Sequence, residues 1–384
     1  FYMLTYYSPR KIVVGLDASE KIVDELKLEE GRNVLIVTDK GIREAGILKK
    51  ITDKLEDSNV EFDVYDDVES DPEISIAETV AGKAREGGYD AVIGLGGGSA
   101  MDMAKVASFS VSNPGRIEDY LGIDLIKRRG LPLYCLPTTS GTGSEVTRVA
   151  VVTEGKRKRA FVSSHITPDV ALVDPKLTVS MPPKLTAGSG LDALSHAVEG
   201  ILSIYANPMT VALGLEAVRL ISENLRIAYY NGRDLESRYN MSLAATMAGL
   251  SFNGPGVVHG HSIAQTFGPL YNVPHGLSCA MTLPYIMDFY LPVASEKLAW
   301  IAEAMGEDVY GFTHREAAEE AVRAVYELTI DLDIPSLREV GVEREDIPEI
   351  AETCVRDWVR PNSPRQLTVE DTVKILEKMW EGEI

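Results

Sequence analysis

The stretch Asp90-Ala-Val-Ile-Gly-Leu-Gly-Gly-Gly-Ser-Ala-Met-Asp102 decides the fold of this chain. Its first half is apolar and β-branched, which is typical of a buried strand, and helical apolar spacing starts near Met101. Glycines at such a turn let backbone N–H groups approach a ligand that a Cβ would exclude, and a helix N-terminus attracts anions. The sequence therefore predicts a strand-to-helix turn that suits a phosphate group, although a tight turn without a ligand has the same pattern.

Strands and helices alternate on both sides of this turn, and that alternation predicts a parallel sheet. The pattern changes near residues 180 to 185, after which helical spacing dominates. We therefore predict an α/β domain over residues 1–183 and an all-helical domain over 184–384. The predicted strands are 11–16, 33–38, 61–65, 90–95, 131–136, 148–153 and 169–173, and the predicted helices include 41–58, 73–86, 101–112, 185–203, 209–229, 294–305, 315–331 and 369–380.

Composition excludes several classes of function. The chain has 384 residues, with 38 Lys and Arg against 58 Asp and Glu, a net charge of −20. Nucleic acid and anionic membranes attract positive proteins, so neither is an expected partner. Three cysteines without CxxC spacing predict neither a disulfide framework nor a thiolate zinc site, and they favour a reducing cytoplasm. The apolar runs are shorter than the roughly 18 residues that span a bilayer, so we expect a soluble protein.

A second loop follows the predicted strand 131–136, and it reads Pro137-Thr-Thr-Ser-Gly-Thr-Gly-Ser-Glu145. Its hydroxyls and backbone amides suit pyrophosphate and ribose. Both loops lie at the carboxyl ends of predicted strands, where open α/β sheets bind ligands, so a dinucleotide is the expected ligand. Asp39, after the predicted strand 33–38, either accepts bonds from an adenosine ribose, which favours NAD over NADP, or caps the following helix.

Aspartate and histidine converge in the helical half of the chain. Asp192 and His196 are four residues apart on a predicted helix and therefore share one face. His259, His261 and His275 follow. One carboxylate with three imidazoles suits Fe²⁺ or Zn²⁺ rather than Mg²⁺ or Ca²⁺, whereas any one of these histidines alone is more often structural.

Taken together, these motifs resemble the iron-containing (group III) alcohol dehydrogenases across essentially the whole chain. The resemblance rests on Gly96 to Lys105, on Pro137 to Val146, on Asp192 with His196, and on His261 with His275. It implies an N-terminal Rossmann-like dinucleotide-binding domain, an all-helical C-terminal domain and a metal site in the cleft between them. It further implies a metal held by Asp192, His196, His261 and His275, and cofactor contacts from Asp39, Gly97, Gly98, Ser99, Asp102, Thr138, Thr139, Thr142, Ser144 and Lys158.

The sequence departs from that family at Gln265, where family members commonly carry a histidine. An amide cannot shuttle a proton, so Gln265 is expected to orient a substrate hydroxyl or a water, and the proton is expected to leave through water or the cofactor ribose. His259 is not assumed to replace it. Asp71-Pro72 likewise stands where many relatives have Asn-Pro, so a contact near the adenosine end is expected to differ.

The function expected from the resemblance is an NAD(P)-dependent, metal-assisted alcohol dehydrogenase that acts on a primary alcohol or diol and its aldehyde. NAD(H) is preferred over NADP(H), the metal is Fe²⁺ or Zn²⁺, and the protein is a homodimer or higher homo-oligomer. Three alternatives stay open. They are a zinc-dependent polyol enzyme similar to glycerol dehydrogenase, a lyase similar to dehydroquinate synthase, and a non-catalytic sensor of metal or nucleotide. The lyase lacks an obvious basic cluster in the second half of the chain, and only Gln265 supports the sensor.

Overall fold

The computed structural model describes residues 3–28, 32–155, 157–357 and 360–384. The chain divides into two compact units, Tyr7–Met181 and Pro182–Ile384, and the second unit also includes the segment that ends at Tyr6.

The first unit alternates strands with helices, as the sequence predicts. Its strands are β1 Lys11–Val14, β2 Asn33–Val37, β3 Glu61–Tyr65, β4 Ala91–Gly96, β5 Gly122–Ile123, β6 Leu133–Pro137, β7 Val149–Glu154, β8 Arg157–Val162 and β9 Val170–Val173. Its α-helices are α1 Ile22–Leu28, α2 Lys40–Glu44, α3 Ile47–Asp57, α4 Ile74–Glu86 and α5 Gly98–Ser110. Short 3₁₀ helices lie at Ala18–Lys21, Ile117–Tyr120, Ser144–Val146, Ser164–Ile166 and Pro175–Thr178.

The described residues form a six-stranded parallel sheet in the order β1-β9-β6-β4-β2-β3. Strand β4 lies centrally, with Ile93 opposite Ile36 on β2 and Tyr134 on β6. Alternate residues of β2, β4 and β6 enter apolar clusters on the two faces, one with α4 and α5 and the other with α1 and α3. This doubly covered sheet confirms the predicted α/β fold and brings the loops after β4 and β6 to one edge.

Two predicted elements differ from the structure in the first unit. The predicted strand 148–153 corresponds to β7, which pairs antiparallel with β8 in a separate small sheet that also contains β5. The predicted helix 41–58 is two helices, α2 and α3, because Gly46 between them adopts a left-handed conformation with φ of 74°. A glycine tolerates that conformation, which ends the first helix.

The second unit is helical, which confirms the predicted fold class. Its α-helices are α6 Pro183–Leu202, α7 Pro208–Tyr230, α8 Leu235–Phe252, α9 His259–Leu270, α10 His275–Met305, α11 His314–Asp331, α12 Ile347–Asp357 and α13 Val369–Glu381, with a 3₁₀ helix at Arg344–Asp346. All of these α-helices contribute side chains to one apolar core.

Helix α10 is the longest of this unit and lies in its core. It is long and apolar enough to cross a membrane by composition alone, but 78% of its most apolar window is buried inside the protein. Non-helical dihedrals at Ala294, two residues after Pro292, bend it. Burial of this kind is typical of the core helix of a soluble protein.

Candidate metal centre and dinucleotide loops

Two glycines allow the helices that bear the candidate ligands to approach each other. Helix α6 carries Asp192 and His196, and α10 begins at His275. A Cβ on Gly276 would lie 2.6 Å from the carbonyl oxygen of Gly188 on α6, a distance that real side chains do not adopt. The bare backbones at Gly188 and Gly276 therefore position the start of α10 directly against Asp192.

The structure brings all four predicted ligands together. Asp192 Oδ1 lies 3.9 Å from His196 Nε2, 3.8 Å from His261 Nε2 and 3.8 Å from His275 Nε2. The rings of His196 and His261 stack with their centroids 4.8 Å apart. Asp192, His196 and His261 are buried, and His275 is 25% exposed at its side chain.

Two atoms in this cluster have the surroundings expected of metal ligands. Asp192 Oδ1 and His261 Nε2 are buried and have no hydrogen-bond partner among the described residues. Leaving a buried polar atom unsatisfied costs about 1–3 kcal/mol, so such atoms in a folded protein need a partner. A carboxylate oxygen and an imidazole nitrogen that converge without a hydrogen between them fit a transition-metal ion.

The electrostatics of Asp192 keep its carboxylate ionised. Burial favours the neutral acid, but positive charge at His196, His275 and His261 outweighs that effect, so the pKa of Asp192 lies below its ordinary value. A cation bound between neutral imidazoles would act on the carboxylate in the same direction. An ionised carboxylate is the form that ligates a metal.

Glu199, which the sequence analysis did not select, contacts the candidate ligand His261. His261 Nδ1 lies 2.6 Å from Glu199 Oε1, and the His261 backbone N–H donates to Glu199 Oε2. A carboxylate only accepts, so the hydrogen is assigned to Nδ1, and Nε2 presents its lone pair to the cluster. Gly260 is required here, because a Cβ would lie 2.5 Å from Glu199 Oε1. The position of Glu199 one turn after His196 is the signal in the sequence.

Cys279 is a second residue that the sequence analysis did not select. One ligand atom from each of Asp192, His261, His275 and Cys279 can be chosen so that all lie within 4.8 Å of one another. Cys279 follows His275 by four residues on α10, the same spacing that identified Asp192 with His196. The absence of CxxC spacing argues against a zinc site built from paired cysteines, but it says nothing about a single cysteine one turn from a histidine.

Gln265 lies on α9 one turn after His261, as predicted, and is half-buried. Its Oε1 accepts a hydrogen bond of 3.0 Å from Arg360 Nη2, a side-chain partner that the sequence did not predict. Arg360 Nε also donates to Ser262 Oγ. Burial lowers the pKa of His259 to about 4, and its backbone N–H donates to Tyr290 Oη.

The loops after β4 and β6 pack against each other in the first unit. Thr138 N–H donates to Gly96 O at 3.0 Å. A Cβ on Gly98 would lie 2.7 Å from Thr142 Cγ2, and one on Gly97 would lie 3.5 Å from Thr139 Cγ2. The glycine turn and the threonine-rich loop therefore form one cradle that side chains at the turn would fill, which fits a bound pyrophosphate.

Asp39 has features of both of its sequence-based interpretations. Its Oδ1 caps α2 by accepting from Ile42 N–H at 3.0 Å. Its carboxylate also lies beside the glycine turn, because a Cβ on Gly96 would be 3.2 Å from Asp39 Oδ2.

Asp102 and Ser144 contact each other inside the protein. Asp102 Oδ1 accepts from Ser144 Oγ at 2.6 Å, and Asp102 Oδ2 accepts from Val151 N–H at 2.8 Å. Fully buried Lys105 donates to Ser144 Oγ and Val149 O. Burial raises the pKa of Asp102 and lowers that of Lys105. Both oxygens of Asp102 are thus occupied by protein donors, and this network anchors the threonine-rich loop.

Lys158, Asp71 and Ser99 form a third contact set in the same unit. Lys158 Nζ lies 2.6 Å from Asp71 Oδ1. The Asp71 backbone N–H donates to Ser99 Oγ, and Asp71 itself has a positive φ of 52°. Asp71, noted in the sequence because Asn is common there, is therefore the partner of two predicted cofactor residues.

Known protein families match this chain over most of its length. Residues 9–175 match the family described as iron-containing alcohol dehydrogenase, and residues 186–380 match the C-terminal part of the Fe-containing alcohol dehydrogenase family. The chain is similar to the NAD-dependent methanol dehydrogenase of Bacillus methanolicus, with 34% identity over 97% of this chain and 99% of that protein. It is similar to the 1,3-propanediol dehydrogenase of Klebsiella pneumoniae, with 35% identity over 99% of this chain and 100% of that protein. Among solved structures, the alcohol dehydrogenase from Oenococcus oeni has a TM-score of 0.95 and 35% identity, over 98% of this chain and 100% of that one.

Proposed function

We propose a ligand set, a substrate class and a cofactor preference for this chain, which belongs to the iron-containing alcohol dehydrogenase family. The chain is a metal-dependent alcohol dehydrogenase that transfers a hydride between NAD(P)(H) and an alcohol or its aldehyde. The observation that carries the proposed ligand set is the pair of buried, unpartnered atoms Asp192 Oδ1 and His261 Nε2.

Asp192, His196, His261 and His275 are the proposed ligands of one Fe²⁺ or Zn²⁺. When bound, the metal supplies Lewis acidity to the substrate oxygen, and the nicotinamide exchanges the hydride. The protein holds the carboxylate ionised and fixes the His261 ring through Glu199, so the lone pairs are oriented before binding. Burial of Asp192 and His261 excludes water from their side of the centre.

Gln265 is proposed to position the substrate hydroxyl. Its amide has no accessible pKa, so the proton of the alcohol leaves through water or the cofactor ribose rather than through this side chain. The hydrogen bond from Arg360 to Oε1 fixes the amide, which directs its NH₂ group away from the guanidinium.

The proposed substrates are small primary alcohols or diols. Support comes from the names of relatives similar to this chain, which include dehydrogenases of methanol and 1,3-propanediol and a lactaldehyde reductase. NADH absorbance, followed with a panel of short aldehydes and their alcohols, tests this proposal. Turnover of short aldehydes is expected, and a metal-loaded protein that turns over none of the panel would contradict it.

NAD(H) is the proposed cofactor. The Asp39 carboxylate beside the glycine turn would repel the 2′-phosphate of NADP(H), and the methanol dehydrogenase relative is named NAD-dependent. Asp39→Asn keeps the cap on α2 but removes the charge, whereas Asp39→Gly removes both. Both variants are expected to gain relative efficiency with NADP(H). Unchanged preference in both would exclude Asp39 as the determinant.

We also propose a homodimer or higher homo-oligomer that works in the cytoplasm. The net charge of −20 disfavours attachment to anionic membranes. The three buried cysteines are thiols rather than disulfides, which fits a reducing compartment. Light scattering of the purified protein measures the assembly, and a monomeric mass would contradict the first part.

A further inference from the structure

Cys279 lies in the centre that the other ligands form. Its side chain is 2% exposed, and Sγ lies 3.7 Å from His275 Nε2. Its ligand atom, with one atom each from Asp192, His261 and His275, falls within a 4.8 Å group. We propose that Cys279 binds the metal through Sγ and thereby makes the centre selective for Zn²⁺ over Fe²⁺. This inference rests on the metal site proposed above.

The position of Cys279 follows from the helix that carries it. Helix α10 begins at His275, and a residue four positions later projects from the same face one turn further along. Gly276 allows this turn to approach α6. The two side chains of α10 therefore reach the same cluster, with Cys279 Sγ 3.7 Å from His275 Nε2.

Ligation would convert the Cys279 thiol to a thiolate. On ligation the S–H bond breaks, a bond forms between Sγ and the metal, and the proton passes to water. No oxidation state changes.

A sulfur ligand changes which ion the site prefers. Carboxylate and imidazole accept Fe²⁺ and Zn²⁺ alike, whereas thiolate is soft and favours Zn²⁺. The affinity order of divalent metals already places Zn²⁺ above Fe²⁺, so a thiolate adds to an existing bias. The other two cysteines, Cys354 on α12 and Cys135 on β6, lie outside this ligand group, so Cys279 is the cysteine that can supply its sulfur ligand.

Cobalt substitution tests the inference without any assay of activity. Wild-type protein stripped of metal and loaded with Co²⁺ is expected to show the near-ultraviolet charge-transfer absorption of thiolate bound to cobalt. Cys279→Ser and Cys279→Ala are expected to lose that band and to keep the visible d–d bands. Cys135→Ser and Cys354→Ser, which replace other buried cysteines, are matched controls and are expected to retain it.

The outcomes separate Cys279 from the metal site itself. Visible cobalt bands that His261→Ala abolishes, without a charge-transfer band in wild type, would overturn the role of Cys279 and leave the proposed site intact. Absence of any cobalt binding that depends on His261 would overturn both. If the Cys279 variants fail to fold, the wild-type spectrum still shows whether a thiolate binds cobalt, and the spectra of Cys135→Ser and Cys354→Ser show whether either of the other cysteines supplies it.

Metal competition tests the selectivity. Apo protein dialysed against equal Fe²⁺ and Zn²⁺ without oxygen is expected to take up mainly Zn²⁺. The ratio of bound Zn²⁺ to Fe²⁺ is expected to fall in Cys279→Ala and to stay unchanged in Cys354→Ser. The same ratio in wild type and Cys279→Ala would overturn the selectivity.

Discussion

Glu199 connects the proposed metal ligand His261 to the helical core, and no substrate contact is proposed for it. Its contact with His261 Nδ1 orients the ring, and removal of such a partner typically costs about 10–100-fold in metal affinity. Glu199→Gln is expected to weaken metal binding by roughly that factor. Metal content after dialysis against a graded chelator measures it.

The control for Glu199→Gln is Glu216→Gln, on the outer surface of α7 in an ion pair with Arg219. Exposed ion pairs contribute little, so this variant should retain wild-type metal affinity. If Glu199→Gln binds metal as tightly as the control, the orienting role is wrong.

Gln265 allows a prediction about pH. In Gln265→His the new imidazole would lie near the Arg360 guanidinium, which disfavours a second positive charge and lowers the pKa of that imidazole below about 6.5. The rate profile should gain an ionisation on its acid side, with activity falling as the imidazole is protonated. Gln265→Leu has a similar shape and nothing to titrate, so its profile should keep the wild-type form. Identical profiles in Gln265→His and Gln265→Leu would exclude a position at the reacting oxygen.

Cys279 and Glu199 are two residues of the candidate site that the sequence analysis did not identify. The four proposed ligands could be selected from the sequence because their residue types, order and spacing resemble a family pattern. The position of Glu199 one turn after His196 indicates only that the two residues share a helix face. Its contact with His261, 62 positions along the chain, depends on the fold placing α6 beside α9. Cys279 did have a local signal, its position one turn after His275.

At the scale of elements, the turn between β4 and α5 depends on the absence of a side chain at Gly98. A Cβ at Gly98 would lie 2.7 Å from Thr142 Cγ2 and push the threonine-rich loop away. Gly98→Ala is therefore expected to weaken NADH binding about tenfold, or ~1.4 kcal/mol, with metal content unchanged. Fluorescence titration with NADH measures the effect.

Gly82→Ala on α4 is the matched control, because a Cβ there meets no atom within 4 Å. Alanine is also the better helix former, so this variant should be as stable as wild type or slightly more so. Equal NADH affinity in Gly98→Ala and Gly82→Ala would show that the glycine turn does not cradle the cofactor.

Strongly patterned elements were predictable and irregular ones were not. Strand β3 was predicted at its observed bounds, because charged and apolar residues alternate at the start of Glu61–Tyr65. Strand β8 was not singled out, since Arg157–Val162 opens with three charged residues and is held in its sheet by pairing with β7 and with the short strand β5. Helix α8 was not singled out either, because its alanines, serines and glycine leave no apolar period, and it is recognisable only from its packing against α6 and α7.

For the whole molecule, metal binding should stabilise the fold, since the ligands come from α6, α9 and α10. A ligand at 100 times its Kd adds about 2.7 kcal/mol to the free energy of unfolding when only the folded state binds it. Chelation should therefore lower the melting temperature of the wild-type protein. His261→Ala, which lacks one ligand, should melt at the same temperature with and without chelator. A chelator effect of equal size in both proteins would locate the stabilising metal elsewhere.

The reaction itself is the most direct test of the central claim, that this chain is an alcohol dehydrogenase whose metal is bound by Asp192, His196, His261 and His275. The measurement is alcohol-dependent reduction of NAD by metal-stripped protein during titration with Fe²⁺ or Zn²⁺, in wild type and in His261→Ala. We predict no turnover without metal, a rise that saturates at one equivalent per chain in wild type, and no rise in His261→Ala. Full activity in the stripped wild-type protein, or an equal rise in His261→Ala, would contradict the account.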